Sequence, residues 1–354
     1  LLQFIPWSFG WVPTIQVMIS RTLFWYFGHP LVYFWLMPVY ICWYIVIPKI
    51  IGGKIFSDAL ARLSFILFLM FSVPVGFHHQ LMEPGISPTW KYIQVILTFI
   101  VIVPSLMTAF AILASFELYG RSKGATGLFG WFKFLPWKDV RFLAPFLGML
   151  AFIPGGAGGI VNASHQLNEV VHNTLWVTGH FHLTVAATFA LTFFGITYWL
   201  LPVITNRVLT PKINRLGIIQ AVLWGIGMFF MSGPMHLVGL FGSPRRTAFT
   251  TYQDHPDALG WIPYHVAMAI GGIILFIAVL VMVYNVILLL RAPKGTTEYP
   301  IAETAEYAEP APKMFERWGV WIGMVALLVL VAYSIPFSDM LNSANPGSKP
   351  WVTW

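Results

Sequence analysis

Two histidines, His180 and His182, lie two positions apart in a long segment without charged side chains. The segment from Val170 to Pro202 contains no Asp, Glu, Lys or Arg, and it is long enough to cross a bilayer as a helix. A helix turns about 100° per residue, so the two imidazoles point to nearly opposite sides. They cannot share one small ligand on a regular helix, but each could ligate a separate haem on its own side. The alternative is that both are packed polar residues that hydrogen-bond to their neighbours.

The composition of the chain is that of a polytopic membrane protein. Of its 354 residues, 58% are hydrophobic and 9% are charged, whereas ordinary globular proteins have about 25% charged residues. Because Cys42 is the only cysteine, the chain by itself can form neither a disulfide nor an iron–sulfur cluster. No CxxCH motif occurs, so any haem is held by coordination and packing rather than by thioether bonds.

Uncharged stretches predict an all-α bundle of about eight transmembrane helices. The predicted spans are Thr14–Ile47, Leu63–Gln80, Tyr92–Phe116, Phe142–Val161, Val170–Ile204, Leu216–Phe241, Trp261–Leu290 and Trp318–Phe337. We interpret the acidic stretch EYPIAETAEYAEPAP, between the last two spans, as a solvated loop. No soluble domain is indicated, and residues 1–354 are predicted to form a single membrane domain.

The loops between these spans alternate between many basic residues and few. The loop after the first span contains Lys49, Lys54 and Arg62, for example, whereas the next contains only Lys91. The positive-inside rule therefore predicts that the basic loops lie on the inner side of the membrane. The net charge of +7 follows mostly from this asymmetry, and it gives no reason to expect a nucleic-acid partner.

In this topology, His29, His78 and His79 lie in the outer half of the membrane, at a depth similar to that of the histidine pair described above. Three imidazoles at one depth form a site suited to copper, zinc or iron. On an ideal helix His78 and His79 diverge by about 100°, so they converge only if the helix end is distorted. Pro74 and Gly76, just before them, make such a distortion reasonable.

Tyr33 follows His29 by four residues, so both lie on the same helical face. A phenol beside a metal-bound imidazole can supply a proton and an electron. The motifs FGHPLVY, GFHHQ and GHFHL, in this order and at these separations, resemble subunit I of the haem–copper oxygen reductases. This resemblance covers the entire chain.

The resemblance implies a role for each motif residue. It makes His180 the proximal ligand of the high-spin haem and His182 one ligand of the low-spin haem. It makes Tyr33 the tyrosine that this family cross-links to the first copper ligand. The implied copper ligands are His29, His78 and His79.

Two features depart from the better-known A-type members of that family. Leu31 stands in GHPLVY where many members carry Glu, and the span Tyr92–Phe116 lacks the lysine of those members. Both absences resemble the B-type branch. The second ligand of the low-spin haem comes from an early span in the family. The chain is therefore expected to be the C-terminal portion of the subunit and to need the missing N-terminal segment as a partner.

The same resemblance assigns loop residues to the haems. Arg245 and Arg246 match an arginine pair that binds haem propionates, a task suited to the bidentate guanidinium. The alternative for this pair is a solvated basic turn. His172, two turns above His180, is implied to lie near a propionate, with Asn168 where relatives have Asp. No role is assigned to the remaining histidines, His165, His236, His255 and His265.

Buried hydroxyl groups suggest a route for protons. Tyr33, Tyr40 and Tyr44 lie close to one face of the first span and descend toward the inner surface. Ser105 and Thr108 are neighbours on the third span. Buried hydroxyls and water can relay protons, and a matching set forms the single proton-input path of the B-type branch. The alternative is that these hydroxyls bond back to helix carbonyls.

The resemblance implies the catalytic core of a terminal respiratory oxidase in the bacterial plasma membrane. Such a core reduces O2 to water with two haems and copper, and it couples the reaction to proton translocation. Its implied partners are subunit II, with a copper electron-entry site, and cytochrome c or quinol as electron donor. The nearest alternative is a nitric oxide reductase with non-haem iron, whose motifs have Glu at the position of Leu31 and lack the cross-linking tyrosine. A bis-histidine electron-transfer cytochrome and a helical ion transporter without cofactors are more distant alternatives.

Overall fold

The computed structural model describes residues 3–296, 301–306 and 310–343 and shows a bundle of helices. The α-helices are α1 Phe4–Ser8, α2 Val17–Ile41, α3 Ile47–Ile51, α4 Asp58–Ser72, α5 Pro88–Ile100, α6 Ile102–Ser122, α7 Val140–Ala163, α8 His165–Val171, α9 Leu175–Phe181, α10 Ala190–Thr205, α11 Pro211–Leu240, α12 Pro256–Leu290 and α13 Trp318–Ser343. The π-helical segments Cys42–Val46 and His182–Phe189 join α2 to α3 and α9 to α10. Short 3-10 helices form at Phe77–Gln80, Gly130–Phe134, Tyr252–Asp254 and Lys313–Glu316. Within the described ranges, β pairing is limited to isolated bridges.

Eight helical segments of the described chain are long and apolar enough to cross a membrane. They are Val17–Ile51, Asp58–Gln80, Pro88–Ser122, Val140–Ala163, Leu175–Thr205, Pro211–Leu240, Pro256–Leu290 and Trp318–Asn342. The all-α fold with about eight spans, predicted from uncharged length alone, is therefore confirmed.

The fifth span begins at Leu175 rather than at Val170, because the chain turns sharply at Asn173. This asparagine has a φ of 60°, in the left-handed region that interrupts a helix. The side chain of Thr174 then caps the new helix by accepting a backbone N–H. His172 consequently lies in the turn before this helix. The prediction that it lies two turns above the motif histidine on one helix was wrong.

Glycines allow α11 and α12 to pack closely along their length. A Cβ on Gly227 would lie 2.7 Å from Leu275 Cγ, and a Cβ on Gly271 would lie 2.7 Å from Met231 N. Between helices in lipid, where no hydrophobic driving force acts, such close backbone approach stabilises association. This pair supports α9, which carries His180 and packs against α11 and α7.

The segment 301–306 between α12 and α13 packs against the side of the bundle predicted to face inward. Ala302 N donates to the Ile45 carbonyl at 2.7 Å, and Ile55 N donates to the Glu303 carbonyl at 2.8 Å. Ala302 and Ala305 are 8% and 7% exposed, so they anchor this part of the loop predicted to be solvated, while Ile301, Glu303 and Glu306 are exposed. Residues 298–300 and 307–309 of that stretch lie outside the described residues.

Candidate metal centre

Three histidines converge in the half of the bundle predicted to face outward. One ring nitrogen each of His29, His78 and His79 lies within 4.8 Å of the others, and we call these residues the three-imidazole cluster. The His29 Nδ1 and His79 Nε2 atoms are 3.3 Å apart. The rings of His29 and His78 meet edge to face, with centroids 4.2 Å apart. A set of converging imidazole nitrogens can hold copper, zinc or iron.

The second span breaks before its histidines, as expected from Pro74 and Gly76. Helix α4 ends at Ser72, and the chain continues as the 3-10 helix Phe77–Gln80, which carries both histidines. A Cβ on Gly76 would lie 2.5 Å from the Tyr333 hydroxyl, so the break leaves no room for a side chain here. This distortion turns two adjacent imidazoles toward one point.

Gln94 of α5 holds the broken backbone in place. Its Oε1 accepts the N–H of Gly76 at 3.0 Å and the N–H of Phe77 at 3.3 Å, and its Nε2 donates to the Pro74 carbonyl at 3.2 Å. The side chain is fully buried, so it replaces water as the partner of these backbone groups. Sequence reasoning missed this residue, because a single glutamine in an apolar span has no informative spacing.

Thr98 sets the tautomer of His78. The Thr98 hydroxyl donates to the Gln94 carbonyl at 2.6 Å, so its oxygen acts as an acceptor toward His78 Nδ1 at 3.0 Å. His78 therefore carries its proton on Nδ1 and keeps a lone pair on Nε2. Metal-binding histidines are oriented by hydrogen bonds of this kind.

A cavity of about 440 Å³ adjoins the three-imidazole cluster, and Tyr33 and His180 also line it. The Tyr33 and His29 rings are 5.3 Å apart and inclined at 68°. His29 Nε2 is buried and has no hydrogen-bond partner among the described residues. A buried imidazole with an unpartnered nitrogen fits a site completed by a metal or by a covalent bond to its neighbour.

His180 presents a free nitrogen on the same cavity. Its Nδ1 lies 2.7 Å from the Gly155 carbonyl, which can only accept, so the proton is on Nδ1 and the lone pair is on Nε2. A Cβ on Gly159 would lie 2.9 Å from His180 Cε1, so glycine makes room for the ring. These features fit an axial ligand of a haem.

His182 is not among the described residues that line this cavity. Its Nδ1 is 2.8 Å from the Thr178 carbonyl, which again leaves Nε2 with the lone pair. The two motif histidines thus differ in their surroundings, as their two-residue spacing suggests.

His236, which sequence reasoning left without a role, packs against the backbone beside the motif histidines. A Cβ on Gly179 would lie 2.6 Å from its Nδ1, and a Cβ on Gly158 would lie 3.0 Å from its Nε2. Its Nδ1 donates to the Ser232 carbonyl at 2.8 Å. Trp176 meets the ring edge to face, with centroids 4.7 Å apart. The pairing of this histidine with two distant glycines was invisible in the sequence.

Comparison with known proteins identifies the family. The profile described as "Cytochrome C and Quinol oxidase polypeptide I" matches residues 1–274. The chain belongs to this family. The predicted resemblance to subunit I of the haem–copper oxygen reductases is therefore confirmed.

Relatives of this oxidase family match nearly the whole chain. Cytochrome c oxidase subunit 1 of Thermus thermophilus is 46% identical over 362 residues, which cover 100% of this chain and 64% of the relative. Cytochrome c oxidase subunit 1 of Thermostichus vulcanus is 28% identical over 312 residues, 86% of this chain and 51% of the relative. The cryo-EM structure of a heme-copper terminal oxidase dimer matches with a TM-score of 0.91 and 37% identity, over 99% of this chain and 63% of that chain. The chain thus spans less than two thirds of the length of these relatives.

The two arginines predicted to serve this family's haems face different pockets. Arg245 lines the large cavity, whereas Arg246 lines a second pocket of about 340 Å³. Arg245 Nη2 donates to Asn173 Oδ1 at 3.0 Å, while its buried Nε has no partner among the described residues. Burial lowers the pKa of the Arg245 guanidinium to about 10. A half-buried guanidinium with an unused Nε donor fits a carboxylate such as a haem propionate.

His172 also lines the cavity, next to an ion pair that sequence reasoning missed. Its Nε2 is 3.3 Å from Glu83 Oε1, and the same oxygen lies 2.5 Å from Arg21 Nη2. Burial lowers the pKa of His172 below its usual value, and this outweighs the opposite effect of Glu83. Asn168, buried nearby, donates to the Asn162 carbonyl at 2.7 Å. Glu83 and Arg21 lie far apart in the sequence, so no motif connects them.

The predicted row of hydroxyls is partly connected. The Tyr44 hydroxyl donates to Thr108 Oγ1 at 3.2 Å, and both groups are buried. The buried Tyr40 hydroxyl has no hydrogen-bond partner among the described residues. Ser105, however, donates back to the Val101 carbonyl at 3.1 Å, which is the alternative that the sequence left open.

Proposed function

We propose that this chain is the catalytic core of a terminal respiratory oxidase that reduces O2 to water and translocates protons. The observation that carries the proposal is a single cavity lined by the three-imidazole cluster, by Tyr33 and by the free Nε2 of His180. Such a cavity can hold O2 between two redox metals. The family match supports the same assignment.

The residues divide the cofactors between them. The three-imidazole cluster would hold copper, His180 would hold the iron of a high-spin haem, and His182 would be one ligand of a low-spin haem. Arg245, Arg246 and His172 would surround the propionates. The bound metals would supply the electrons for O2 reduction, while the chain orients the ligands and excludes bulk water.

Tyr33 acts in this proposal as the local proton donor. Its ring lies beside His29 and lines the cavity, so its hydroxyl proton can be delivered where O2 is reduced. Tyr44 and Thr108 then form the hydrogen-bonded part of the route that returns a proton to Tyr33 from the inner side. Tyr40, between Tyr33 and Tyr44 in the sequence, and Ser105, three residues before Thr108, would complete the proposed path.

The chain works with partners in this proposal. These are a subunit II with a copper electron-entry site, cytochrome c or quinol, and the segment of subunit I that supplies the second low-spin haem ligand. Leu31 and the absence of a lysine after Lys91 in the third span support placement in the B-type branch. The setting is the bacterial plasma membrane.

Two other functions fit the observations less well. A nitric oxide reductase would use iron in the three-imidazole cluster, but Leu31 and Tyr33 favour an oxidase. A bis-histidine electron-transfer cytochrome would need no metal in the three-imidazole cluster. Elemental analysis separates the oxidase from both alternatives, because only the oxidase requires copper.

The test is the copper and haem content of the purified complex before and after His78→Ala. We expect copper in the unmodified complex, and we expect the variant to lose the copper of the three-imidazole cluster, but not that of subunit II, together with O2 turnover while keeping both haem spectra. His165→Ala, outside the cavity lining, is the matched control and should retain copper. Normal copper and normal turnover in His78→Ala would refute the assignment.

A further inference from the structure

The loop between α6 and α7 presents an apolar tip that the described chain leaves uncovered. Leu128 and Phe129 are adjacent, and they are 73% and 68% exposed. Gly124 and Gly127 just before them have φ values of +87° and +71°, so the chain makes left-handed turns here, and a Cβ at either glycine would meet open space. Two adjacent large apolar side chains at the tip of a loop are more informative than a single exposed leucine.

Aromatic packing holds this tip in its exposed position. Trp131 is buried against Gly120 of α6, which leaves no room for a Cβ. Its ring stacks on Phe132, with centroids 4.0 Å apart, and Phe132 is parallel to Trp137 within 2°. Trp137 Nε1 also donates to the Phe132 carbonyl at 2.8 Å. These contacts fix the conformation of the loop, so the tip cannot fold back against the helices.

Unpaired positive charge surrounds the same tip. The arginines at the two ends of the loop are neutralised, because Arg121 pairs with Glu117 at 2.7 Å and Arg141 pairs with Asp139 at 2.6 Å. Three exposed lysines, Lys123, Lys133 and Lys138, have no carboxylate partner within the described ranges. Two of them lie over aromatic rings, Lys123 over Tyr119 at 5.6 Å and Lys133 over Phe134 at 5.1 Å. A rigid apolar tip flanked by unpaired lysines combines the two features that attract a protein to an anionic membrane surface.

We propose that the α6–α7 loop inserts Leu128 and Phe129 into the inner leaflet and binds the phosphates of anionic phospholipids through its lysines. The loop lies on the side predicted to face inward, where the leaflet carries negative charge. Free phosphate would engage the lysines but would leave the apolar tip in water. The anionic lipid satisfies both features, and each lysine should strengthen its binding roughly five-fold.

Depth measurement tests insertion directly. Cys42, the only cysteine of the chain, is 3% exposed, so Thr126→Cys can be labelled with a nitroxide in the assembled complex. The complex that lacks Thr126→Cys, treated with the same reagent, gives the background signal from nitroxide attached to other subunits. In nanodiscs with phosphatidylglycerol, we expect the nitroxide to collide more often with O2 than with a water-soluble nickel chelate. In phosphatidylcholine alone this preference should weaken.

A nitroxide that remains equally accessible to the nickel chelate in both lipids would overturn the proposal. A nitroxide that is shielded from the nickel chelate equally in both lipids would also overturn the proposal, because a protein partner would then cover the tip. Replacing the tip by Leu128→Ser and Phe129→Ser should return the label to water while haem content stays unchanged. These variants therefore separate insertion from a failure to fold.

Lipid counting tests the headgroup contact. Native mass spectrometry of the complex should show fewer retained phosphatidylglycerol molecules in the variant Lys123→Gln, Lys133→Gln, Lys138→Gln. Lys212→Gln, an exposed lysine in the first turn of α11, is the matched control and should retain the lipid. Excess inorganic phosphate should leave the lipid bound. Displacement by phosphate, or equal retention in the triple variant, would contradict a phospholipid site.

Discussion

Trp25 lies flat against His79, with ring centroids 3.8 Å apart and planes inclined by 7°. The indole covers one face of the imidazole and limits its rotation, so that His79 Nε2 stays directed at His29. Gly28 permits this contact, because a Cβ there would lie 3.2 Å from the Trp25 ring. Trp25, which is not itself a metal ligand, thus fixes the orientation of His79 in the three-imidazole cluster.

We expect Trp25→Ala to weaken copper binding roughly 10- to 100-fold, the usual cost of losing a group that orients a metal ligand. Trp25→Phe should retain most of the affinity, because a phenyl ring can still stack. The measurement is the copper-to-haem ratio after dialysis against a chelator. Trp11→Ala, at an exposed tryptophan, is the control. Equal copper retention in all variants would show that the stack has no orienting role.

Gln94→Leu should destabilise the second span at its break. The substitution leaves two backbone N–H groups and one carbonyl without partners, and a buried unsatisfied group costs about 1–3 kcal/mol. We expect a lower thermal unfolding temperature together with loss of copper. Gln253→Leu, in an exposed loop, should change neither. A stable Gln94→Leu complex with full copper would mean that Pro74 and Gly76 alone hold the turn.

His180→Ala and His182→Ala should remove different spectra. Because only His180 is among the described residues that line the cavity, its loss should abolish the high-spin signal that responds to carbon monoxide. Loss of His182 should remove the low-spin spectrum first. Absorption spectra of the reduced complexes, with and without carbon monoxide, provide the measurement. Disappearance of the same signal in both variants would contradict the assignment to separate haems.

Tyr33→Phe should preserve both haems and copper but lose most O2 reduction, since the ring remains while its proton is removed. Oxygen consumption and metal content should be measured on the same sample. Tyr26→Phe, at a partly exposed tyrosine four residues before Pro30, serves as the control and should stay active. A well-assembled Tyr33→Phe complex with full activity would leave Tyr33 with a packing role only.

Thr108→Val and Tyr44→Phe should each slow proton uptake, because each breaks the 3.2 Å hydrogen bond between these side chains. Turnover and proton uptake in vesicles should fall while the spectra remain intact. Thr205→Val removes a hydroxyl that merely bonds back to the Leu201 carbonyl at 2.7 Å, so it should have no effect. Unchanged rates in both test variants would place proton entry elsewhere.

The spans and the convergent histidines were predictable because each leaves a local signal. An uncharged stretch of sufficient length reports a membrane helix directly. His78 and His79 could be placed beside His29 because Pro74 and Gly76 predict the helix break that redirects the two imidazoles. In these cases a short piece of sequence contains both the residue and the cause of its position.

The errors and omissions arise where the cause lies elsewhere in the chain. His172 was placed on a helix because nothing before it signals a break, whereas Asn173 adopts a left-handed φ that asparagine permits without requiring. Gln94 acts on a turn 18 residues before it, at the end of the preceding span. Glu83 joins Arg21 and His172 only in the folded bundle. Tertiary partners of this kind have no spacing to detect.

The π-helical segment that starts at His182 lets the two parts of the fifth span differ in their rotation about the helix axis. A π turn takes up about one more residue than an α turn, so the helix beyond Phe189 is offset by about 100° from a continuous α-helix. His180 can therefore face its cavity while Tyr198, on α10, contacts Met282 and Asn285 of α12. A one-residue deletion between His182 and Phe189 would restore α geometry without turning either end. A change of one residue in the length of this span should accordingly be tolerated best within that segment.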